Sequence, residues 1–405
     1  MWNRCKTAVS LQTNNLLKQG HAFGVSLLLW CLIVAPLSVH AQDSAKAWYQ
    51  YISVNGLVSA STTYNFNRPS DDRNQLRIFD VDANSLNLDL LSLTLRHNPA
   101  VGEAGFRADI DLGPYIPRLI HSAGMTSGDL DLTQAYLSYN APIGNGLTFD
   151  AGKFICPAGY EYLDRFDGLN DNASHSFLFG YAVPYTMTGL RVTYPFTDIF
   201  SACVLVVNGW DNSVDNNRAK TLCLQLSVLP SATSSFILTA IRGAEKPGNN
   251  TDMRSVLDLV ASLKIGERIT LGLNGDYGIE QNDLLQGEIK DSAELRIASY
   301  TDAIWQGLAG YARITLSDKF AFILRAEGFD DPQGTRTGTA QSLREYTLTP
   351  EWKPAPHLII RGDLRLDNST QPVFNKNFGL IAPFFVGGAM VTTQPTASLN
   401  ALYSF

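Results

Sequence analysis

The chain has 405 residues, of which 45% are hydrophobic and 17% charged, and its 38 acidic residues outnumber its 31 basic ones. The formal charge of −7 argues against a nucleic-acid partner, because such partners are bound by basic surfaces. Beyond the N-terminal region, no stretch approaches the roughly 20 apolar residues that a membrane-spanning helix needs.

Residues 1–41 have the features of a cleaved secretory signal peptide. Their three basic residues precede an apolar stretch at 23–37, and Val39-His40-Ala41 forms a small-x-small cleavage site. The mature chain is therefore expected to be 42–405, with a net charge that falls from −7 to −10. A retained membrane anchor is the alternative, but the apolar stretch is shorter than a spanning helix.

Most of the mature chain alternates apolar and polar residues with period two, the pattern of a strand with two different faces. Residues 106–112, 221–228, 270–276 and 358–367 are examples, and the polar face of several of them carries Arg and Asp together. This pattern is typical of a barrel strand that faces lipid on one side and a water-filled lumen on the other. Within 86–95 the leucines change phase by one residue, which predicts a β-bulge.

The alternating segments number sixteen. They are 50–65, 84–97, 104–113, 129–141, 146–154, 186–195, 199–208, 218–228, 234–243, 253–264, 268–278, 304–315, 319–329, 341–352, 357–367 and 392–405.

The connections between these segments alternate between short and long. Seven are short and carry turn residues, and eight are long: 66–83, 114–128, 155–185, 209–217, 244–252, 279–303, 330–340 and 368–391. Short periplasmic turns and long extracellular loops are the layout of outer-membrane barrels. The fold class expected is therefore all-β, a transmembrane antiparallel barrel of about sixteen strands.

The longest connection, 155–185, is rich in Gly, Asn and Asp. A loop of this length inside a compact domain is usually functional or disordered. Its charged residues are candidates for a pore constriction: Glu161, Asp164, Arg165, Asp167 and Asp171.

The last strand ends on an aromatic residue of its apolar face. Leu399, Tyr403 and Phe405 lie on that face, and small or polar residues lie between them. Such an ending is shared by outer-membrane barrels, in which the final strand closes the barrel. We expect this strand to be the segment that the barrel-assembly machinery contacts.

Three motifs resemble the β-barrel porins of the OmpL-like group. They are Gly152-Lys153-Phe154-x-x-Pro157-x-Gly159-Tyr160-Glu161, Thr188-Gly189-Leu190-Arg191 and Asn208-Gly209-Trp210-Asp211. With the signal peptide, the turn spacing and the terminal Phe405, the resemblance covers nearly the whole mature chain. The layout is also similar to that of general porins, and this similarity implies that loop 155–185 folds into the pore and that three barrels can associate.

Charged residues on the inward face are candidates for pore lining and ion selectivity, since selectivity depends on pore radius and lining charge. They are Arg107, Asp109, Asp111, Lys153, Arg191, Arg313, Arg325, Glu327, Arg361, Asp363 and Arg365. If the loop carboxylates face the basic wall, the constriction carries a transverse electric field. The alternative is that Arg and Asp simply pair across strands as part of the wall. The excess of acidic residues weakly favours cations over anions.

No catalytic, cofactor or metal site is expected. The mature chain has four His, of which His97 and His357 lie in or beside predicted turns and His121 and His175 lie in predicted loops. It contains none of the HExxH, GxSxG or glycine-rich phosphate motifs. Its three cysteines, Cys156, Cys203 and Cys223, form no CxxC pair. A Cys203–Cys223 disulfide is an open alternative to free thiols.

The sequence therefore predicts an outer-membrane porin for passive diffusion of small hydrophilic solutes and ions. Its expected partners are outer-membrane lipid and lipopolysaccharide, the assembly machinery, and two further copies in a homotrimer. A structural or adhesive barrel with a closed lumen is the alternative function.

Overall fold

The computed structural model describes residues 48–114, 130–290, 296–377, 380–381, 384–385 and 388–405. The predicted signal peptide and cleavage site lie outside these residues. The chain divides into two compact units, residues 1–51 and 52–405. In the first, the described segment is a short 3₁₀ turn, Trp48–Tyr51, and the second is a closed β-barrel.

Sixteen antiparallel strands form the barrel, as predicted. They are β1 Ser53–Asn65, β2 Ser85–His97, β3 Ala104–Leu112, β4 Leu130–Ala141, β5 Leu147–Ile155, β6 Thr186–Pro195, β7 Phe200–Val207, β8 Thr221–Ser231, β9 Ser234–Ala244, β10 Met253–Ile265, β11 Ile269–Lys290, β12 Arg296–Ser317, β13 Phe320–Asp331, β14 Gln341–Ala355, β15 Leu358–Ser369 and β20 Thr393–Ser404.

Four short strands and one helical turn lie between barrel strands. β16 Phe374–Lys376 pairs with β19 Ala389–Val391, and β17 Leu380–Ile381 pairs with β18 Phe384–Phe385. A π-helical turn, Leu178–Ala182, lies between β5 and β6. Within the described residues, no helix is long and apolar enough to cross a membrane.

The last strand closes the barrel by pairing with both β1 and β15. The backbone of Phe405 exchanges hydrogen bonds with Gly56, at 2.8 and 2.9 Å. The Phe405 ring covers Gly56 so closely that a Cβ built there would lie 2.4 Å from a ring carbon. Glycine at position 56 therefore makes room for the terminal aromatic side chain.

The predicted bulge is confirmed in β2. The pairing with β1 shifts between Ser59 and Ala60, which face Leu90 and Leu88. As a result Leu86 points outward and is 81% exposed, whereas Leu90 points inward and is 2% exposed. The outer wall of the barrel carries many other exposed apolar side chains, such as Leu137, Leu190 and Leu222, as a lipid-facing band requires.

One predicted loop is mostly strand. The segment 279–303 was expected to be a loop, but β11 and β12 continue to pair up to Lys290 and Arg296. The pairing shifts twice along this extension, after Glu280 and after Leu285. The local Gly, Asn and Asp content hid the strand signal, because bulges disturb the period-two pattern.

Candidate functional site

Residues 156–185, here called the constriction loop, fold into the barrel as predicted. The amide of Gly159 donates to Asp258 on β10 (3.1 Å), and that of Tyr160 donates to Asn274 on β11 (3.2 Å). The side chain of Gln225 on β8 donates to the carbonyl of Pro157 (2.7 Å). The first part of the loop is therefore bound to the wall at β8–β11.

Three carboxylates of the constriction loop pair with arginines of β12, β13 and β15. Glu161 lies 2.8 Å from Arg325. Asp171 lies 2.6 Å from Arg313, and Asp164 lies 3.3 Å from Arg361. The predicted acidic loop and basic wall thus meet directly, and their charges largely neutralise one another.

The same loop also binds the other side of the lumen. Arg165 lies 2.7 Å from Asp111 and 3.3 Å from Asp109, both on β3. Asp167 lies 2.8 Å from Arg107 and 2.9 Å from Arg96. The loop therefore spans the lumen between β2–β3 and β12–β15.

Two wall carboxylates accept hydrogen bonds from the loop backbone. Asp363 accepts from the amides of Ala173 (3.1 Å) and Ser174 (2.7 Å), and Glu327 accepts from those of Phe177 (2.6 Å) and Leu178 (3.2 Å). Arg365 donates to the carbonyl of His175 at 2.5 Å. Charge-assisted bonds of this kind satisfy loop backbone groups that are removed from water.

The two remaining predicted wall residues bind neighbouring strands rather than the loop. The ammonium of Lys153 lies 3.3 Å from Asp131 on β4, and Arg191 lies 2.8 Å from Asp150 on β5. The Arg191 guanidinium also lies over the ring of Phe154, 4.6 Å from its centroid. These contacts are the cross-strand pairs that the sequence analysis left open as an alternative.

Part of the inner wall is apolar, contrary to the prediction of a wet lumen face. Leu205 and Val207 on β7 point inward and are buried, and they belong to a cluster with Phe177, Leu178 and Trp305. Trp305 donates to the carbonyl of Ala182 (3.2 Å) and lies flat against Gly278, where a Cβ would lie 2.0 Å from the ring. The wall is apolar here because the loop, rather than water, covers it.

The first long connection also folds inward, which the sequence analysis missed. Arg77 is buried, lies 2.8 Å from Asp367 and also pairs with Asp80. Phe79 packs edge-on against His175, with 4.8 Å between ring centroids. In the sequence, the apolar residues Leu76, Ile78 and Phe79 around Arg77, inside an otherwise polar connection, are the signal that could have indicated this docking.

The exit of the constriction loop is held by a second cluster of charged and aromatic residues. Arg336 donates to the carbonyl of Tyr181 (2.6 Å) and lies 4.7 Å from the centroid of Trp210 and 5.2 Å from that of Trp305.

Asp211 binds the end of the loop. It accepts from the amides of Tyr185 and Thr186, both at 2.8 Å. Burial raises the pKa of Asp211 to about 6, although these donors act in the opposite direction. Burial and the neighbouring Arg254 lower the pKa of Arg336 to about 10.

Two cavities lie beside the docked loop among the described residues. One, of about 50 Å³, lies between the loop and the inner face of β1, β2 and β20, and its lining includes Asp80, Asp89 and Asp164. The other, of about 240 Å³, lies against β10–β12 and includes Glu161 and Asp171. Among the described residues that line the two cavities, none is Lys or Arg.

The described residues hold neither a metal site nor a disulfide. No three His, Cys, Asp or Glu side chains in this part of the chain are grouped to hold a metal ion. Cys156, Cys203 and Cys223 are buried free thiols. The arrangement is instead a lumen largely filled by the docked loop, with two polar cavities beside it.

A protein family described as "Putative beta-barrel porin-2, OmpL-like" matches residues 51–405. No curated protein matches the chain. Among solved structures, the anion-selective porin from Comamonas acidovorans is similar with a TM-score of 0.57 and 12% identity, over 87% of this chain and 99% of that one.

Two further channels show the same likeness. The outer membrane channel DcaP of Acinetobacter baumannii has a TM-score of 0.55 and 12% identity, over 87% of this chain and 97% of that one. OmpT of Vibrio cholerae, in its trimer form, has a TM-score of 0.54 and 12% identity, over 87% of this chain and 99% of that one. At these identities the likeness concerns the fold.

Proposed function

The chain belongs to the family of OmpL-like β-barrel porins and is an outer-membrane channel for small solutes, and on that premise we propose that it passes small cations in preference to anions. The observation that carries this proposal is the charge of the two lumen cavities. Their described lining residues include five carboxylates and no Lys or Arg. Four of the five pair with an arginine, so the net negative charge that the described lining presents is that of Asp89. Carboxylates in a narrow, partly dehydrated passage attract cations and repel anions.

The wall arginines do not reverse this preference. Arg325, Arg361 and Arg313 each pair with a carboxylate of the constriction loop. A paired arginine presents little net positive charge to a passing ion. The Asp89 carboxylate, by contrast, is not paired with a basic side chain. Among the described residues, its hydrogen-bond partners are the hydroxyls of Ser59 and Ser61 and the amide of Asn400.

The size of the cavities supports passive diffusion of small solutes. At roughly 10–15 Å³ per water, the smaller cavity of about 50 Å³ holds about three to five water molecules. The larger one, of about 240 Å³, has room for a small polar solute. Transport under this proposal involves no chemical step, and the family and the fold point to a channel rather than an enzyme.

The test is the reversal potential of the purified protein in a planar bilayer under a KCl gradient. A potential of the sign for K⁺ is expected, with ohmic single-channel steps. The opposite sign would refute the cation preference but leave the channel intact. Absence of conductance from folded, heat-modifiable protein would favour a structural or adhesive barrel with a closed lumen.

We also propose that the signal peptide is cleaved after Ala41 and that three barrels associate. The outer wall supports the second point, because Gly310 and Gly328 line a surface depression across β11–β14. N-terminal sequencing should begin at Gln42, and native mass spectrometry in detergent should give three copies.

We further propose that the barrel-assembly machinery recognises β20 and that the outer wall contacts lipid and lipopolysaccharide.

A further inference from the structure

The smaller cavity has an unusual set of polar groups. It lies between the inner wall and the constriction loop and is lined by Asp89, Ser398 and Asn400 from the wall and by His175 from the loop. Two carboxylates at its margin are already paired, since Asp80 binds Arg77 and Asp164 binds Arg361. Asp89 has no such ion pair among the described residues, and Asp89 and His175 therefore determine which ligand the cavity can bind.

The Asp89 carboxylate is held by neutral donors. It accepts from the hydroxyls of Ser59 (3.0 Å) and Ser61 (2.8 Å) and from the amide of Asn400 (3.3 Å). No Lys or Arg in the described part of the chain lies among its hydrogen-bond partners. A carboxylate away from bulk water and without a counter-charge favours a bound cation.

The tautomer of His175 follows from its neighbours. The two amide hydrogens of Asn170 are directed to the carbonyl of Tyr162 (2.6 Å) and to Asp164 (3.0 Å). The His175 Nε2 lies 3.0 Å from both the Asn170 amide nitrogen and the Tyr162 carbonyl oxygen. Because both amide hydrogens already have an oxygen acceptor, we assign the ring hydrogen to Nε2, which then donates to the carbonyl. In the neutral ring Nδ1 is then a lone-pair acceptor. It has no hydrogen-bond partner among the described residues, although His175 is only 7% exposed.

We propose that this cavity binds an ammonium group, with NH₄⁺ as its simplest ligand. Asp89 supplies the negative charge. The His175 Nδ1 and the Ser398 hydroxyl, which also lacks a partner within the described part of the chain, supply further positions for N–H donors. A nitrogen acceptor favours an N–H donor over an alkali ion, which prefers oxygen ligands. The volume of about 50 Å³ suits a small ion and its water. The inference deepens the proposed cation channel and depends on it.

The experiment compares NH₄⁺ with Rb⁺, an ion of similar size that has no N–H donors. Single-channel conductance is measured against concentration in NH₄Cl and in RbCl. Saturation at a lower concentration for NH₄⁺ than for Rb⁺ is expected. Equal half-saturation for the two ions would overturn the ammonium site, even if the reversal potential still showed a cation channel.

Two variants locate the effect. Asp89→Asn keeps the shape and should raise the NH₄⁺ half-saturation concentration by roughly 10- to 100-fold, since a hydrogen bond to a charged group contributes about 1.5–3 kcal/mol. His175→Gln keeps a donor for the Tyr162 carbonyl but removes the ring acceptor, so it should narrow the difference between NH₄⁺ and Rb⁺.

The control is Asp330→Asn, an exposed carboxylate on the outer face of β13, which should change nothing. Heat-modifiable migration shows that each variant is folded. An unchanged NH₄⁺ curve in folded Asp89→Asn would refute the site. If that variant does not fold, the wild-type comparison and His175→Gln decide the question. An anion-type reversal potential would instead refute the proposed function.

Discussion

Removal of Arg325 should release the constriction loop while leaving the barrel folded. Arg325 is 2% exposed and binds Glu161 (2.8 Å), Glu345 (3.0 Å) and the carbonyl of Ser174 (2.6 Å). Arg325→Met would leave Glu161 and Glu345 buried without this partner.

The magnitude follows from the burial of the ion pair. Removing one partner of a buried pair costs about 3–5 kcal/mol, because the remaining charge is left uncompensated. Release of the loop returns Glu161 to water. The substitution therefore destabilises the docked state of the loop and not the pairing of the barrel strands. At 1.4 kcal/mol per factor of ten, the ratio of the docked to the released population should fall by roughly 100- to 4,000-fold.

Single-channel recording and liposome swelling with neutral sugars of increasing size measure this effect. The variant should show high-conductance openings and admit sugars that the wild type excludes. Arg344→Met is the matched control, because Arg344 is an exposed arginine on the outer face of β14. Adding Glu161→Gln to Arg325→Met should restore part of the docking, since it removes one uncompensated carboxylate.

A folded Arg325→Met barrel with wild-type conductance and wild-type size exclusion would refute the reasoning. That result would mean that the apolar cluster and the other ion pairs hold the loop without Arg325.

Three further predictions concern other parts of the barrel. The pKa of Asp211 is about 6 against 3.8 for the ordinary group, so the docked state binds more protons than the released state between about pH 4 and 6, and docking should weaken as the pH rises through this window. High-conductance openings should therefore be more frequent at pH 7 than at pH 4, and Asp211→Asn should reduce this difference. Gly56→Ala places a Cβ 2.4 Å from the Phe405 ring and should lower the yield of heat-modifiable protein, whereas Gly328→Ala, with nothing within 4 Å, should not. A maleimide should label none of the buried thiols Cys156, Cys203 and Cys223 in the native protein and all three after unfolding; mass spectrometry after denaturation would show five labels instead if residues 1–41 were retained.

The sequence by itself determined the barrel. The number of strands, the alternation of short and long connections, the bulge near Leu90 and the closing role of the last strand could all be predicted. Each depends on the period-two geometry of a strand, which fixes the face of every side chain from its position alone. The long loop with its acidic residues, and the basic residues of the wall, were also visible in this way.

Only the tertiary structure decided how the lumen is filled. The pairs Glu161–Arg325 and Asp164–Arg361 join residues more than 160 positions apart, and no local pattern selects one partner among many charged residues. The docking of Arg77 and Phe79, the apolar wall at Leu205 and Val207, and the lone carboxylate of Asp89 were not predicted for the same reason. Alternation tells which residues face inward, whereas their burial and charge state depend on the loop that meets them there.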